Sequence, residues 1–282
     1  MEEKRWRDGI PCFKNSDVLS KQEINTFCTE NIASYMQDEG YTIHGLLLDS
    51  KPTQIIAEKD GKQYYVIVAG EVYPYKGKIS FSLKKRFSAF CKKQGTIPMF
   101  ASVGIMSNDP ERAAAKLALK NDGYLISYNG SEKISEEFKI NSSEDFKAFW
   151  AEKIIEAYSN ASFEELYEMF DKNIQFHSQW VLEPTIGKKD LINSFERRSK
   201  VLKSSDSKID GSVVVITQPF NKKSNVKVLS KPGDICVLLC QTMEKESNYI
   251  FISFDINKEN KITKICLNDP SLYEFKPYYT YE

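Results

Sequence analysis

No C-x-x-C pair, no long apolar run and no excess of either charge occurs in this chain. The six cysteines (Cys12, Cys28, Cys91, Cys236, Cys240, Cys266) are scattered, without the spacing of a zinc site or the density of a disulfide scaffold, so they read as reduced, structural thiols. Lys plus Arg and Asp plus Glu both number 39, which removes any global field toward nucleic acid or an anionic membrane. The start, Met-Glu-Glu-Lys-Arg-Trp-Arg-Asp, is charged and no apolar stretch follows it. Neither a signal peptide nor a spanning helix is expected, and the expected location is the cytoplasm. Ser-His-Asp spacing, a phosphate-binding loop and a metal-ligand cluster are all missing, so neither a metal nor a cofactor is expected.

What is present divides in two. A chain of 282 residues with 41% hydrophobic positions favours two cores over one. Ser20 with Glu23 three residues on forms a capping box for a helix carrying Ile24, Phe27, Ile32, Tyr35 and Met36, expected to end near Gly40. Three short strands follow, Tyr41 to Leu48, Gln54 to Glu58 and Gln63 to Ala69, the last two joined at Asp60-Gly61. Ser82 to Lys93 has helical spacing, Ile97 to Met106 is an apolar strand, Asn108-Asp-Pro-Glu111 opens a helix expected to reach Lys120, and Gly123 to Tyr128 is a strand.

The stretch Gln54-Ile-Ile-Ala-Glu-Lys-Asp-Gly-Lys-Gln-Tyr-Tyr-Val-Ile-Val-Ala-Gly70, within that order of elements, resembles the restriction-endonuclease-like, PD-(D/E)XK fold over roughly Lys21 to Tyr128. In active members an Asp opening the second strand and a Glu-x-Lys on the third hold a divalent metal. The matching positions here are Gln54, Ile67 and Ala69. An amide ligates weakly and the two alkyl side chains not at all, so the resemblance implies the fold without its metal site. Glu71 is the nearby carboxylate that a migrated ligand would use. Lys84, Lys85, Arg86, Lys92 and Lys93 surround Phe87 and Phe90, a spacing that sends the rings to the core and leaves the cations solvated. Nucleic acid is therefore not an expected partner.

Asn129 to Ser143 is polar and turn-rich, which sets the expected domains at 1–135 and 142–282. Beyond it the pattern gives a helix from Ser143 to Tyr158, a helix capped by Ser162, a strand Ile174 to Trp180 and a helix Lys188 to Leu202. Strand-like stretches follow at Ser212 to Gln218, Asn225 to Leu229, Asp234 to Glu244, Ser247 to Asp255 and Lys261 to Leu267. That order, with Tyr-Glu-Met-Phe-Asp-Lys-Asn-Ile-Gln-Phe-His-Ser-Gln-Trp180, Gly187-Lys-Lys-Asp-Leu-Ile192, Phe251-Ile-Ser-Phe-Asp255 and Lys261-Ile-Thr-Lys-Ile265, resembles the nuclear transport factor 2 family with its SnoaL-like branch.

The expected fold class is α+β: a nuclease-like mixed sheet, then a curved antiparallel sheet wrapped on helices. The second resemblance implies a cone-shaped pocket, with His177, Gln179, Trp180, Leu238, Phe251 and Ser253 as its candidate lining. His177 and Gln179 are expected inward, while Phe176 and Trp180 pack under the helices. Two functions fit. One is a non-catalytic binding or scaffold protein, holding a small apolar or amphipathic molecule or a second copy of itself through the C-terminal sheet. The other is an isomerase, cyclase or hydrolase-like enzyme with His177 as general base.

Overall fold

The computed structural model describes residues 5–7, 10–12, 17–135, 142–178, 184–205, 207–219, 231–243 and 246–281. The chain divides into two compact units, Met1–Phe138 with Tyr279–Glu282, and Lys139–Tyr278. Helices and strands mix in each, so the class is α+β. The last four residues, expected with the second module, thus join the first unit.

In the first unit, β1 (Arg5–Arg7) and β2 (Ile10–Cys12) pair as an antiparallel ribbon. Helix α1 (Lys21–Asp38) begins with the complete capping box of Ser20 and Glu23. Ile24, Cys28, Ile32 and Met36 recur every four residues on it and are all buried. The Glu23 carboxyl is held down to about 2 by the Ser20 hydroxyl, then by the Ser20 backbone N–H (2.7 Å), with Lys120 adding a further bond. A lowered folded value means that this contribution is complete above the usual 4.5 and disappears as pH falls toward 2. Glu23→Gln is therefore expected to flatten part of the acid limb in urea unfolding between those pH values. An acid limb identical to that of the wild type would show that the cap adds nothing.

The sheet of this unit runs β3 (Thr42–Leu47), β4 (Gln54–Lys59), β5 (Lys62–Val72), β6 (Ile97–Ser107), β7 (Tyr124–Tyr128), with β8 (Glu132–Lys133) also on β6. β3, β4 and β5 are antiparallel, and Asp60 (φ 52°) with Gly61 (φ 70°) makes the turn between β4 and β5 in the left-handed region. Helix α2 (Phe81–Gln94) then carries the chain over to β6, which pairs parallel with β5. Alternation along β5 serves two cores: Val66 and Val68 pack with α1, Ile67 and Ala69 with Leu83, Phe87 and Cys91 of α2.

Two local expectations change in this unit. Helix α3 (Pro110–Ala114) stops well short of Lys120. Lys116 turns left-handed (φ 54°), and the next residues are taken by the chain ahead of α1, Leu19 N–H donating to Ala118 O and Val18 bridging Leu119. Phe90 is 45% exposed instead of buried. The apolar stripe of α2 is Leu83, Phe87 and Cys91 at i, i+4 and i+8, which leaves Phe90 at its margin, stacked on Tyr65.

The second unit opens with α4 (Ser143–Ser159), capped by Ser142, and α5 (Glu164–Tyr167). Ser162 does not cap α5; its hydroxyl bonds to the Glu164 carboxylate and Phe163 takes the cap position. After them come β9 (Phe170–Ser178), β10 (Thr185–Ile186), α6 (Lys188–Ser204), β11 (Lys208–Pro219), β12 (Ile235–Met243), β13 (Glu246–Ile256), β14 (Ile262–Asn268) and β15 (Tyr273–Pro277). They form one sheet in the order β10-β9-β14-β13-β12-β11-β15, antiparallel except for β9 beside β14. The strand expected at Asn225 to Leu229 lies outside the described residues.

One face of this sheet carries the helices. α4 lies on β11 and β12, and α6 on β9. Gly211 on β11 has no room for more than hydrogen, since a Cβ there would sit 2.8 Å from Leu239 and 2.9 Å from Ile155 of α4. Phe195 of α6 stacks on Phe163 (4.8 Å between centroids) and Phe170 (5.9 Å) and meets Phe176 edge-on (6.1 Å). Ile174, Ile252, Phe254, Ile265 and Leu267 are buried alongside.

Candidate functional site

Strand pairing decides which of the sequence-named residues meet. Residues directly opposed on neighbouring strands share a face. Leu238 opposes Phe251, and Phe251 opposes Asn268. Cys266 opposes Ser253 on one side and His177 on the other. His177, Leu238, Phe251 and Ser253 therefore occupy one face, together with Cys266 and Asn268. Gln179 and Trp180 lie outside the described residues.

That face is the one opposite the helices. Phe176, the neighbour of His177 on β9, is the residue that reaches α6. His177 instead has its Nε2 3.3 Å from the Gln175 amide oxygen, on the same side of the strand. Ser253 and Asn268 are buried polar groups, joined by a 3.4 Å bond from Asn268 Nδ2 to Ser253 Oγ. Burial raises the Cys266 thiol, with Lys264 opposing, and raises that of Cys236. Both stay protonated near neutrality, which makes them poor nucleophiles and poor metal ligands. Among the described residues no grouping of three or more His, Cys, Asp and Glu is placed to hold a metal ion.

A crevice of about 10 Å³ lies among Cys236, Ser253, Asp255, Lys264 and Cys266, room for a single water. Beside it the apolar part is filled by the protein itself. Tyr273 and Phe275 of β15 lie over Phe251, at 4.8 and 5.9 Å between ring centroids, in a cluster with Val214, Ile216, Cys236 and Leu238. Sequence reading missed β15, whose five residues follow Pro270 with no alternation long enough to mark a strand.

In the first unit the three positions matched in sequence to the nuclease pattern lie on neighbouring strands. Gln54 is the register partner of Ile67, and Ala69 follows two residues along β5. Ile67 and Ala69 are both 0% exposed, beneath α2. Glu71, the substitute carboxylate, is committed to an ion pair with Lys21 and accepts from its neighbour Val72 N–H (3.1 Å). A wider groove of about 600 Å³ lies among Ser88, Lys92, Thr96, Pro98, Lys133 and Ile134, a mixed polar and apolar lining of the size that takes small molecules. Among the described residues no helix is long and apolar enough to cross a membrane.

Comparison with known proteins gives one family and a set of structures. The profile of a domain of unknown function, DUF8840, matches residues 22–134. No curated protein matches. Solved structures similar to this chain include a nuclear transport factor 2-like protein of unknown function from Cytophaga hutchinsonii, 14% identical over 42% of this chain and 95% of that one, with a TM-score of 0.27. A SnoaL-like protein of unknown function from Burkholderia thailandensis is 7% identical over 47% of this chain and 97% of its own, at 0.32. A de novo designed protein with a curved β-sheet is 13% identical over 46% and 90%, also at 0.32.

Proposed function

We propose that the chain is a non-catalytic binding protein made of two modules that fold separately. The first is restriction-endonuclease-like without its chemistry, and the second is nuclear transport factor 2-like and carries the binding surface. The single observation behind this reading is the face shared by His177, Ser253, Asn268, Leu238 and Phe251. It sets a few polar groups beside a dominant apolar cluster, the composition of a surface that orients an apolar or amphipathic molecule. The aromatic pair Tyr273 and Phe275 covers the apolar part, and among the described strands β15 lies at the edge of the sheet, paired with β11. Its displacement would open the place where a ligand binds. The enzyme alternative needs a group that orients His177 as a base. Its Nε2 lies 3.3 Å from the Gln175 amide oxygen.

The test is mass spectrometry of small molecules released from purified protein, with His177→Ala and Ser253→Val as comparisons. An apolar or amphipathic molecule retained by the wild type and lost from either variant, with unchanged thermal unfolding, is the expected result. Conversion of that molecule with turnover, abolished by His177→Ala, would establish the enzyme instead. Equal retention in all three proteins would move the site elsewhere.

A further inference from the structure

We infer that the face of the first unit where a nuclease would carry its metal ligands is a peptide-binding site, whose resident ligand is the chain's own C-terminal segment Tyr279–Tyr281. The contacts join residues about 200 positions apart. Lys78 O accepts from Thr280 N–H (2.6 Å) and from Tyr281 N–H (3.3 Å), Ser80 N–H donates to Tyr281 O (3.0 Å), and Ile79 forms a parallel bridge with Tyr281. The Thr280 hydroxyl accepts from Lys78 N–H (3.0 Å). This is strand addition by a short extended peptide, in which main-chain bonds hold the ligand and a side-chain pocket selects it.

The pocket belongs to Tyr281. Its ring packs against the cluster of Ile67, Ala69, Ile79, Leu83, Phe87 and Phe100. Its hydroxyl lies 3.3 Å from both the backbone N and the hydroxyl of Thr53. Thr53 immediately precedes Gln54 and is wholly buried, and it is fixed from behind. It donates to Val68 O (3.1 Å), between Ile67 and Ala69, and accepts from Thr29 (2.9 Å). The polar end of the pocket is thus built by the residues flanking the three substituted nuclease positions. The receiving segment is set close to β5, because a Cβ on Gly77 would fall 2.0 Å from Ala69 O. These contacts lie within the first unit, so the inference stands independently of any ligand in the second.

The ligand class is an extended peptide with a Thr-Tyr pair, the threonine for the Lys78 N–H and the tyrosine for the pocket. The test uses the full chain carrying Thr280→Pro and Tyr281→Ala, which removes an N–H donor and the anchoring ring, with a synthetic peptide spanning 276–282. The expected result is saturable binding of the peptide to this variant and binding at least about tenfold weaker to the wild type, where the tethered segment competes at high effective concentration. Adding Thr53→Val to the variant should weaken the peptide further. Should the double variant lack a cooperative unfolding transition, Tyr281→Phe keeps the ring and loses only the hydroxyl contacts, and a 276–282 peptide with phenylalanine at 281 should bind more weakly than the natural one. No peptide binding to a folded variant, or equal binding to variant and wild type, would overturn the inference.

Discussion

Phe195→Ala is expected to destabilise the second unit by about 3–5 kcal/mol, while His177→Ala costs less than about 1 kcal/mol. Phe195 is buried and touches four rings, those of Tyr158, Phe163, Phe170 and Phe176. Deleting its side chain removes the transfer energy of a large apolar group and leaves a cavity walled by other aromatics, which cannot collapse without leaving their rotamers. His177 has a hydrogen-bonding neighbour in the exposed amide of Gln175 and sits away from that cluster. Its loss therefore forfeits little packing. Chemical denaturation of the two variants measures the contrast directly. A cost for His177→Ala equal to that of Phe195→Ala would make the imidazole a core residue and remove it from any binding surface. Phe176→Ala should fall between them, since it loses one ring contact with α6.

How much of this was legible in the sequence depends on how far apart the deciding contacts lie. The β4–β5 hairpin was legible because Asp60-Gly61 carries its own left-handed turn, and α1 because Ser20 and Glu23 cap it from within four residues. The end of α3 was not, since Leu19, almost a hundred residues earlier, takes the Ala118 carbonyl. The side on which His177 falls was equally hidden. Period-two alternation separates Phe176 from His177 but does not say which of the two meets a helix, and a slip of one residue exchanges them. Most consequential were Tyr273 to Pro277 and Tyr279 to Tyr281. Neither stretch is long enough to show a period, yet the first fills the apolar side of the candidate site and the second packs against the cluster of Ile67 and Ala69. Four of the candidate lining residues, His177, Leu238, Phe251 and Ser253, share a face, and the rings over its apolar part come from an element with no local signal.

Installing the nuclease pattern at Gln54, Ile67 and Ala69 is expected to unfold the first unit before it creates a nuclease. Ile67→Glu and Ala69→Lys each put an ionisable group at a position with no exposure, under α2 and against the ring of Tyr281. Such a group must lose its hydration or its charge, because both positions lie in an apolar cluster whose strand backbone is already paired in the sheet. Each single substitution should therefore cost several kcal/mol, about 3–5 on the scale of an uncompensated buried charge, seen as a shift in the urea midpoint at unchanged slope. The triple variant, with Gln54→Asp added, offers the three new charges to one another, which recovers part of the loss but leaves the site closed to water and metal. Neither it nor the wild type should cut DNA or RNA with magnesium or manganese. A folded triple variant with metal-dependent cleavage would show that the face opens more readily than its packing implies. Cleavage by the wild type, abolished by Glu71→Ala, would show that Glu71 leaves Lys21 to bind metal, and the first unit would then be an active nuclease.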